Sequence, residues 1–203
     1  MKAIALVASA RKQGNCFDFA RYVLDRLETN GVETELVNFF DYRISPCHNC
    51  AYECLQQNDP VKGARKPCPI DDDAGLIWKK TWDSQILFLF VPNYGGLPPD
   101  LWVAFSQRSQ AIFREAPLEK INKSVVSAVV IAAPQNSSGA QWTPSIMADE
   151  VKWLDRKVAS FELINNAGYA TDDLFGSLIK EKEIQARLDF LADRTLEAAK
   201  KYQ

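Results

Sequence analysis

Histidine is all but missing from this chain: His48 is the only one among 203 residues. A Ser-His-Asp hydrolase or a histidine-rich metal enzyme therefore has almost nothing to work with outside one loop. A surplus of charge is missing too. The 24 Lys and Arg residues stand against 26 Asp and Glu, a net charge of −2, so there is no global footprint for nucleic acid or an anionic membrane, and neither is expected as a partner. No apolar run approaches the roughly 18 residues of a membrane-crossing helix. The longest, Ile86 to Val91, has the length of a buried strand. No Gly, Ser or Pro tract, internal repeat or low-complexity stretch divides the chain, so one domain is expected over residues 1–203.

What is present is an ordinary globular composition, 47% hydrophobic and 25% charged, which suffices for a proper core. Lys2, the apolar run Ile4 to Val7 and then Ala8-Ser9-Ala10 imitate a signal peptide, but the run is too short for one and reads as a first strand. The expectation is a cytoplasmic protein. Thiols stay reduced there, so five cysteines point to metal ligation or redox work before a disulfide scaffold.

Short apolar or β-branched segments bounded by turn residues predict strands at Ala3 to Ala8, Glu33 to Phe39, Gln85 to Val91, Ser124 to Ala132 and Phe161 to Asn165. Helical periodicity lies between and after them, at Phe17 to Thr29, Ala74 to Trp82, Leu101 to Glu115, Ile146 to Ala159 and Glu181 to Lys200. Parallel neighbours need crossovers, and the intervening helices supply them, so the pattern predicts a doubly wound α/β fold with helices on both faces of the sheet. Asn30-Gly31 closes the first helix, and Asp71-Asp72-Asp73 is placed to favour the positive start of the second. Two stretches are too long for plain connections: an insertion at about 41–70 carrying four cysteines, and the polar segment 134–144.

The first strand runs through Ser9-Ala10-Arg11-Lys12-Gln13-Gly14-Asn15-Cys16 into a helix. Unpaired N–H groups at the helix start, with Ser9, Asn15, Arg11 and Lys12 beside them, make an anion site suited to a phosphate. The loop is neither Walker A nor GxGxxG. The plainer alternative is a strand-to-helix turn with Asn15 as N-cap. Cys16, at a helix start near basic residues, reads either as a packing residue or as a thiol of lowered pKa. The third strand ends in Pro92-Asn93-Tyr94-Gly95-Gly96-Leu97-Pro98-Pro99 on the same side of the sheet, where glycines allow backbone to approach a flat ring and Tyr94 offers a stacking or edge contact. A third loop, Ala133 to Ala140 with Gly139, follows the fourth strand, and Trp142 just beyond it is a further candidate for the crevice. Cys47, Cys50, Cys54 and Cys68 have the spacing C-x2-C-x3-C-x13-C, which leaves open a [4Fe–4S] cluster, a zinc ion that could also use His48, a redox disulfide and uninvolved thiols.

Ser9-x-Arg11-Lys12-x-Gly14-Asn15 after an opening strand, Pro92-x-Tyr94-x-Gly96 after the third, and Phe105-x-x-Arg108 beyond it together resemble the NADPH-dependent FMN reductase superfamily, in particular its iron-sulfur flavoprotein and multimeric-flavodoxin branch. The resemblance covers about the first 110 residues. It implies a flavodoxin-like five-stranded sheet and an FMN phosphate surrounded by Ser9, Arg11, Lys12, Gly14, Asn15 and Cys16, with the ring near Pro92, Asn93, Tyr94, Gly95, Gly96 and Gly139. It also favours a [4Fe–4S] cluster over zinc at the four cysteines. The sequence departs from the family at Cys16, where a Thr or Ser hydroxyl is usual, at Val103 and Gln107, and in its longer cysteine gaps. The activity implied is NAD(P)H-dependent reduction of FMN, with electrons passed to a quinone, another flavin, an iron-sulfur centre or a small electrophile. A non-enzymatic electron carrier and a phosphate-ligand module that has lost flavin are the alternatives. The family also implies a homodimer or homotetramer.

Overall fold

A computed structural model describes residues 1–48, 68–109, 124–132, 142–153, 156–165, 169 and 176–202. Five strands form one all-parallel sheet: β1 (Lys2–Val7), β2 (Glu33–Asn38), β3 (Ile86–Pro92), β4 (Val125–Ala132) and β5 (Lys157–Asn165), in the spatial order β2-β1-β3-β4-β5. This is the flavodoxin-like order, as the resemblance implied. The helices among the described residues are α1 (Asn15–Thr29), α2 (Ala74–Trp82), α3 (Asp100–Gln107), α4 (Trp142–Trp153) and α5 (Lys182–Tyr202).

The central strands are apolar nearly throughout because both faces of the sheet are covered. Side chains alternate, so Ala3, Ala5, Val7, Phe88 and Phe90 join one core with Phe19, Val23 and Leu27 of α1 and Leu188 and Leu191 of α5. Ile4, Leu6, Leu87, Leu89 and Val91 join the other with Ile77 and Trp78 of α2 and Phe105 of α3. Ser127 is the polar interruption on β4. Its hydroxyl lies 2.7 Å from Thr195 Oγ1; Thr195 gives its own proton to the Leu191 carbonyl, so Ser127 is the donor in that pair.

The strands and helices expected from the sequence are found, with differences of extent. The helix expected to run to Ala159 stops earlier, and residues 157–159 already belong to β5. β5 is an edge strand with partly exposed faces, so its polar and apolar mixture imitates the end of an amphipathic helix. The helix expected over Leu101 to Glu115 ends at Gln107, with Arg108 as its C-cap, and the expected part beyond Ser109 lies outside the described residues. No described helix is long and apolar enough to cross a membrane.

Candidate functional site

The order of strands reverses at the boundary between β1 and β3, and ligands of open α/β sheets bind outside the strand ends at such a point. Two loops leave the carboxyl ends of these neighbours there. They diverge from a shared hydrogen bond, Ala8 N–H to the Phe90 carbonyl at 3.0 Å.

The first loop is braced from behind. Ser9 is buried, and its Oγ accepts from Arg11 N–H at 3.2 Å. Asn38, at the end of β2, donates from Nδ2 to the Lys12 carbonyl at 2.8 Å, and Lys12 Nζ lies 3.3 Å from Asp41. The Lys12 ammonium is thus turned toward the turn at Phe39–Asp41, while its backbone stays in the loop. Gly14, not Asn15, is the N-cap of α1 and makes no side-chain cap hydrogen bond. Open space lies where a Cβ of Gly14 would project, with nothing within 4 Å. A helix N-terminus capped by glycine beside that space suits an anion.

Asn15 is the first helical residue and is buried. Its Oδ1 accepts from Leu178 N–H at 3.2 Å, so the side chain ties α1 to the segment before α5. The N-cap alternative for Asn15 does not hold. Gly176 completes the closure: a Cβ there would sit 2.9 Å from Asp18 Oδ2 and 3.3 Å from the Gly14 Cα. Cys16 is buried, and burial pushes its thiol up to about 12, against the lowering pull of Arg11 and of a backbone hydrogen bond. The structure therefore supports Cys16 as a packing residue and removes the reading of a thiolate of lowered pKa.

The second loop is a tight turn. Tyr94 and Leu97 exchange hydrogen bonds at 2.9 and 3.2 Å across Gly95-Gly96, whose φ values are 60° and 89°. Two consecutive positive φ values are the reason for two glycines. Pro92 and Asn93 are buried; Tyr94 is exposed. Asn93 is held at both ends, its N–H on the Ile131 carbonyl at 2.8 Å and its Oδ1 accepting from Thr143 Oγ1 at 2.9 Å. Thr143 thereby fastens the start of α4 to the turn, and Trp142, one residue earlier, is 61% exposed. Gly139 lies outside the described residues.

Of the four cysteines proposed as ligands, Cys50 and Cys54 lie outside the described residues. Cys47 and Cys68 are of intermediate exposure, and among the described residues no group of three or more candidate ligands gathers. The chain on either side is nevertheless gathered at one point. Arg108, at the end of α3, pairs with Asp72 at 2.7 Å and donates to the carbonyls of Ser45 at 3.1 Å and Ile70 at 3.2 Å. His48 Nδ1 lies 2.6 Å from the Pro46 carbonyl, which leaves Nε2 as the ring atom available to a metal. Asp72 does cap α2, accepting from Ala74 N–H at 3.1 Å; its other oxygen accepts from Ser45 N–H and holds Arg108. The dipole role expected for the Asp run is only part of what this carboxylate does.

Sequence reasoning alone did not find Asn38, Asp41, Thr143, Gly176 or the Asp72–Arg108 pair. Only Arg108 carried a signal, as the end of the Phe105-x-x-Arg108 match.

The pattern of the NADPH-dependent FMN reductase family matches residues 1–143. An iron-sulfur flavoprotein of Methanocaldococcus jannaschii is 29% identical over 140 residues, 67% of this chain and 64% of that protein, so the chain spans somewhat under two thirds of that relative's length. Among solved structures, RosB with a bound 8-demethyl-8-formylriboflavin-5'-phosphate intermediate is similar with a TM-score of 0.71 at 16% identity, covering 99% of this chain and 79% of that one. A Streptococcus pneumoniae TIGR4 flavodoxin is similar with a TM-score of 0.58 at 13% identity, covering 98% and 99%. At such identities these structures speak to the fold alone.

Proposed function

Because the chain belongs to the NADPH-dependent FMN reductase family, matched over residues 1–143, we propose that the crevice between its two loops binds FMN. The protein would then be an oxidoreductase that draws electrons from NAD(P)H. The observation that carries this reading is the start of α1: a helix N-terminus capped by Gly14, at the carboxyl end of β1 and beside open space where a Cβ of Gly14 would project. The donor set fits a phosphate, with Ser9, Arg11 and Asn15 around the same turn. Lys12 would act through its charge and backbone, since its ammonium is paired with Asp41.

FMN, when bound, supplies both two-electron and one-electron redox chemistry. The chain's own contribution is binding and orientation. Gly95-Gly96 would bring backbone close to the ring, Asn93 locks the turn through Thr143, and exposed Tyr94 would bound the ring's edge. No side chain of the crevice is assigned a proton-transfer role. The acceptor class stays as the resemblance gives it: a quinone, another flavin, an iron-sulfur centre or a small electrophile. Cys47 and Cys68, with Cys50 and Cys54, are proposed as thiolate ligands of a [4Fe–4S] cluster, or alternatively of zinc. The iron-sulfur name of the archaeal relative supports the cluster. We propose cytoplasmic residence and a homodimer or homotetramer on the same basis.

The test is an anaerobic absorption spectrum of the purified protein before and after NADPH, with iron and zinc assayed on the same sample. Flavin bands that bleach support the reductase. Bands that resist NADPH and NADH yet bleach with dithionite favour an electron carrier. A colourless protein that takes up no FMN overturns the proposal.

A further inference from the structure

Ser177 leaves its hydroxyl unspent. It stands at the cap position of the 3-10 turn Leu178–Lys180, where a serine hydroxyl ordinarily accepts from its own turn, yet it makes no side-chain cap hydrogen bond. Its Oγ is buried and has no hydrogen-bond partner among the described residues. The Asp18 carboxylate, which lies against the neighbouring Gly176, does not accept from it either. A hydroxyl shielded from water without a partner destabilises the chain that carries it, and such groups gather at sites that bind something.

The residues on both sides of Ser177 rest on the start of α1. Leu178 N–H donates to Asn15 Oδ1 at 3.2 Å, a bond between residues 163 positions apart. On the other side, a Cβ of Gly176 would lie 3.3 Å from the Gly14 Cα. The Leu178 side chain is fully buried in the core it shares with Cys16 and Phe19, and Lys180 N–H closes the turn on the Ser177 carbonyl at 3.0 Å. Ser177 is therefore fixed at this junction by the contacts before it, after it and within its own turn. α1 has 15 residues, and the positive end of its dipole lies at the same junction. Two independent features meet there: a helix N-terminus that favours an anion, and a buried donor that gives its proton to nothing in the chain.

From this arrangement we infer that Ser177 is a further anion-binding residue of the proposed cradle, giving its hydroxyl proton to a phosphate oxygen of the flavin nucleotide. Ser177 lies beyond residues 1–143, which the family pattern matches, so the segment before α5 joins the two loops as a third part of the site. The inference deepens the FMN reading and rests on it. Its signature is a pair of effects of opposite sign. Deleting the hydroxyl from the apo-protein removes a desolvated group that has no partner, whereas deleting it from the complex removes a charge-assisted hydrogen bond. A serine that serves only the fold produces no such split.

The variants are Ser177→Ala and Ser177→Thr, which keeps a hydroxyl. FMN and riboflavin are titrated into each apo-protein by flavin fluorescence. Thermal unfolding of each apo-protein is followed by circular dichroism with inorganic phosphate and with sodium chloride at equal ionic strength. Ser177→Ala is expected to bind FMN about 10- to 100-fold more weakly, the worth of one charge-assisted hydrogen bond. Its riboflavin affinity should stay at the wild-type value, and its apo-protein should melt at or above the wild-type temperature. Ser177→Thr should bind FMN close to the wild-type affinity. Wild-type FMN affinity in Ser177→Ala, or FMN and riboflavin weakened alike, overturns the inference. If the wild type binds no FMN, the flavin reading fails and inorganic phosphate decides the role of Ser177. A stabilisation by phosphate that shrinks in Ser177→Ala supports it; one that is equal in both proteins, or absent from both, overturns it. If Ser177→Ala does not fold, Ser177→Cys, close in shape with a weak donor, carries the same readouts.

Discussion

Replacing Gly176 by Ala perturbs the proposed phosphate loop from a residue outside it. Gly176 has φ of 121°, where an L side chain is strained, and its added Cβ would lie 2.9 Å from Asp18 Oδ2, 3.3 Å from Gly14 Cα and 3.7 Å from Gly14 C. The backbone conformation alone costs about 1–3 kcal/mol. The crowding adds about 1–3 kcal/mol, as for a methyl group forced into packed surroundings. The Asp18 carboxylate can rotate away, but the Gly14 backbone cannot move without shifting the N-cap of α1. Part of the strain is therefore relieved at the phosphate loop itself. A loss of about 2–6 kcal/mol in apo-protein stability is expected from urea denaturation, together with a weaker FMN affinity by fluorescence titration. Gly31→Ala is the control, because its φ is 75° but nothing lies within 4 Å; it should lower stability by about 1–2 kcal/mol and leave FMN affinity alone. If Gly176→Ala matches the Gly31→Ala variant in both readouts, the closure of this segment over the loop has been misjudged.

Two further consequences concern buried groups. Burial raises the Cys16 thiol from 9.0 to about 12. Above pH 9 the unfolded chain releases this proton while the folded chain keeps it, so the folded state binds more protons and stability falls with rising pH, by up to about 1.4 kcal/mol per pH unit between 9 and 12. The stability is fully present below pH 9, and Cys16→Ala should flatten the profile in that window; an unchanged slope would contradict the assignment. Thr143→Val removes the donor to Asn93 Oδ1 and should cost about 1–3 kcal/mol in denaturation experiments, with weaker flavin binding through the loosened ring turn. Unaltered affinity would show that this bond does not position the turn.

What could be read from the sequence was whatever repeats along the chain or lies within one turn of it. Five strands, the two loops at the carboxyl ends of β1 and β3, and the start of α2 at Ala74 follow from local patterns. The edge strand β5 was legible only from Phe161 onward, since Lys157-Val158-Ala159 fits a helix face as well as a strand exposed on both sides. Contacts distant in sequence left no trace. Nothing near Asn15 shows that its amide meets Leu178, and nothing near Gly176 shows that it rests on Gly14. Asp72 looked like one of three capping carboxylates because its partner lies 36 residues away. Lys12 adds charge to the loop's composition, but nothing in the sequence shows that Asp41, in the turn after β2, pairs with its ammonium.

The central claim, a phosphate cradle at the start of α1 that anchors FMN, is tested most directly by titrating the apo-protein with FMN and with riboflavin, which shares the ring system and lacks the phosphate. Binding through the cradle predicts one FMN per chain and at least about a hundredfold weaker riboflavin, the worth of one or two charge-assisted hydrogen bonds. Equal affinities for the two, or no binding of either, would contradict it.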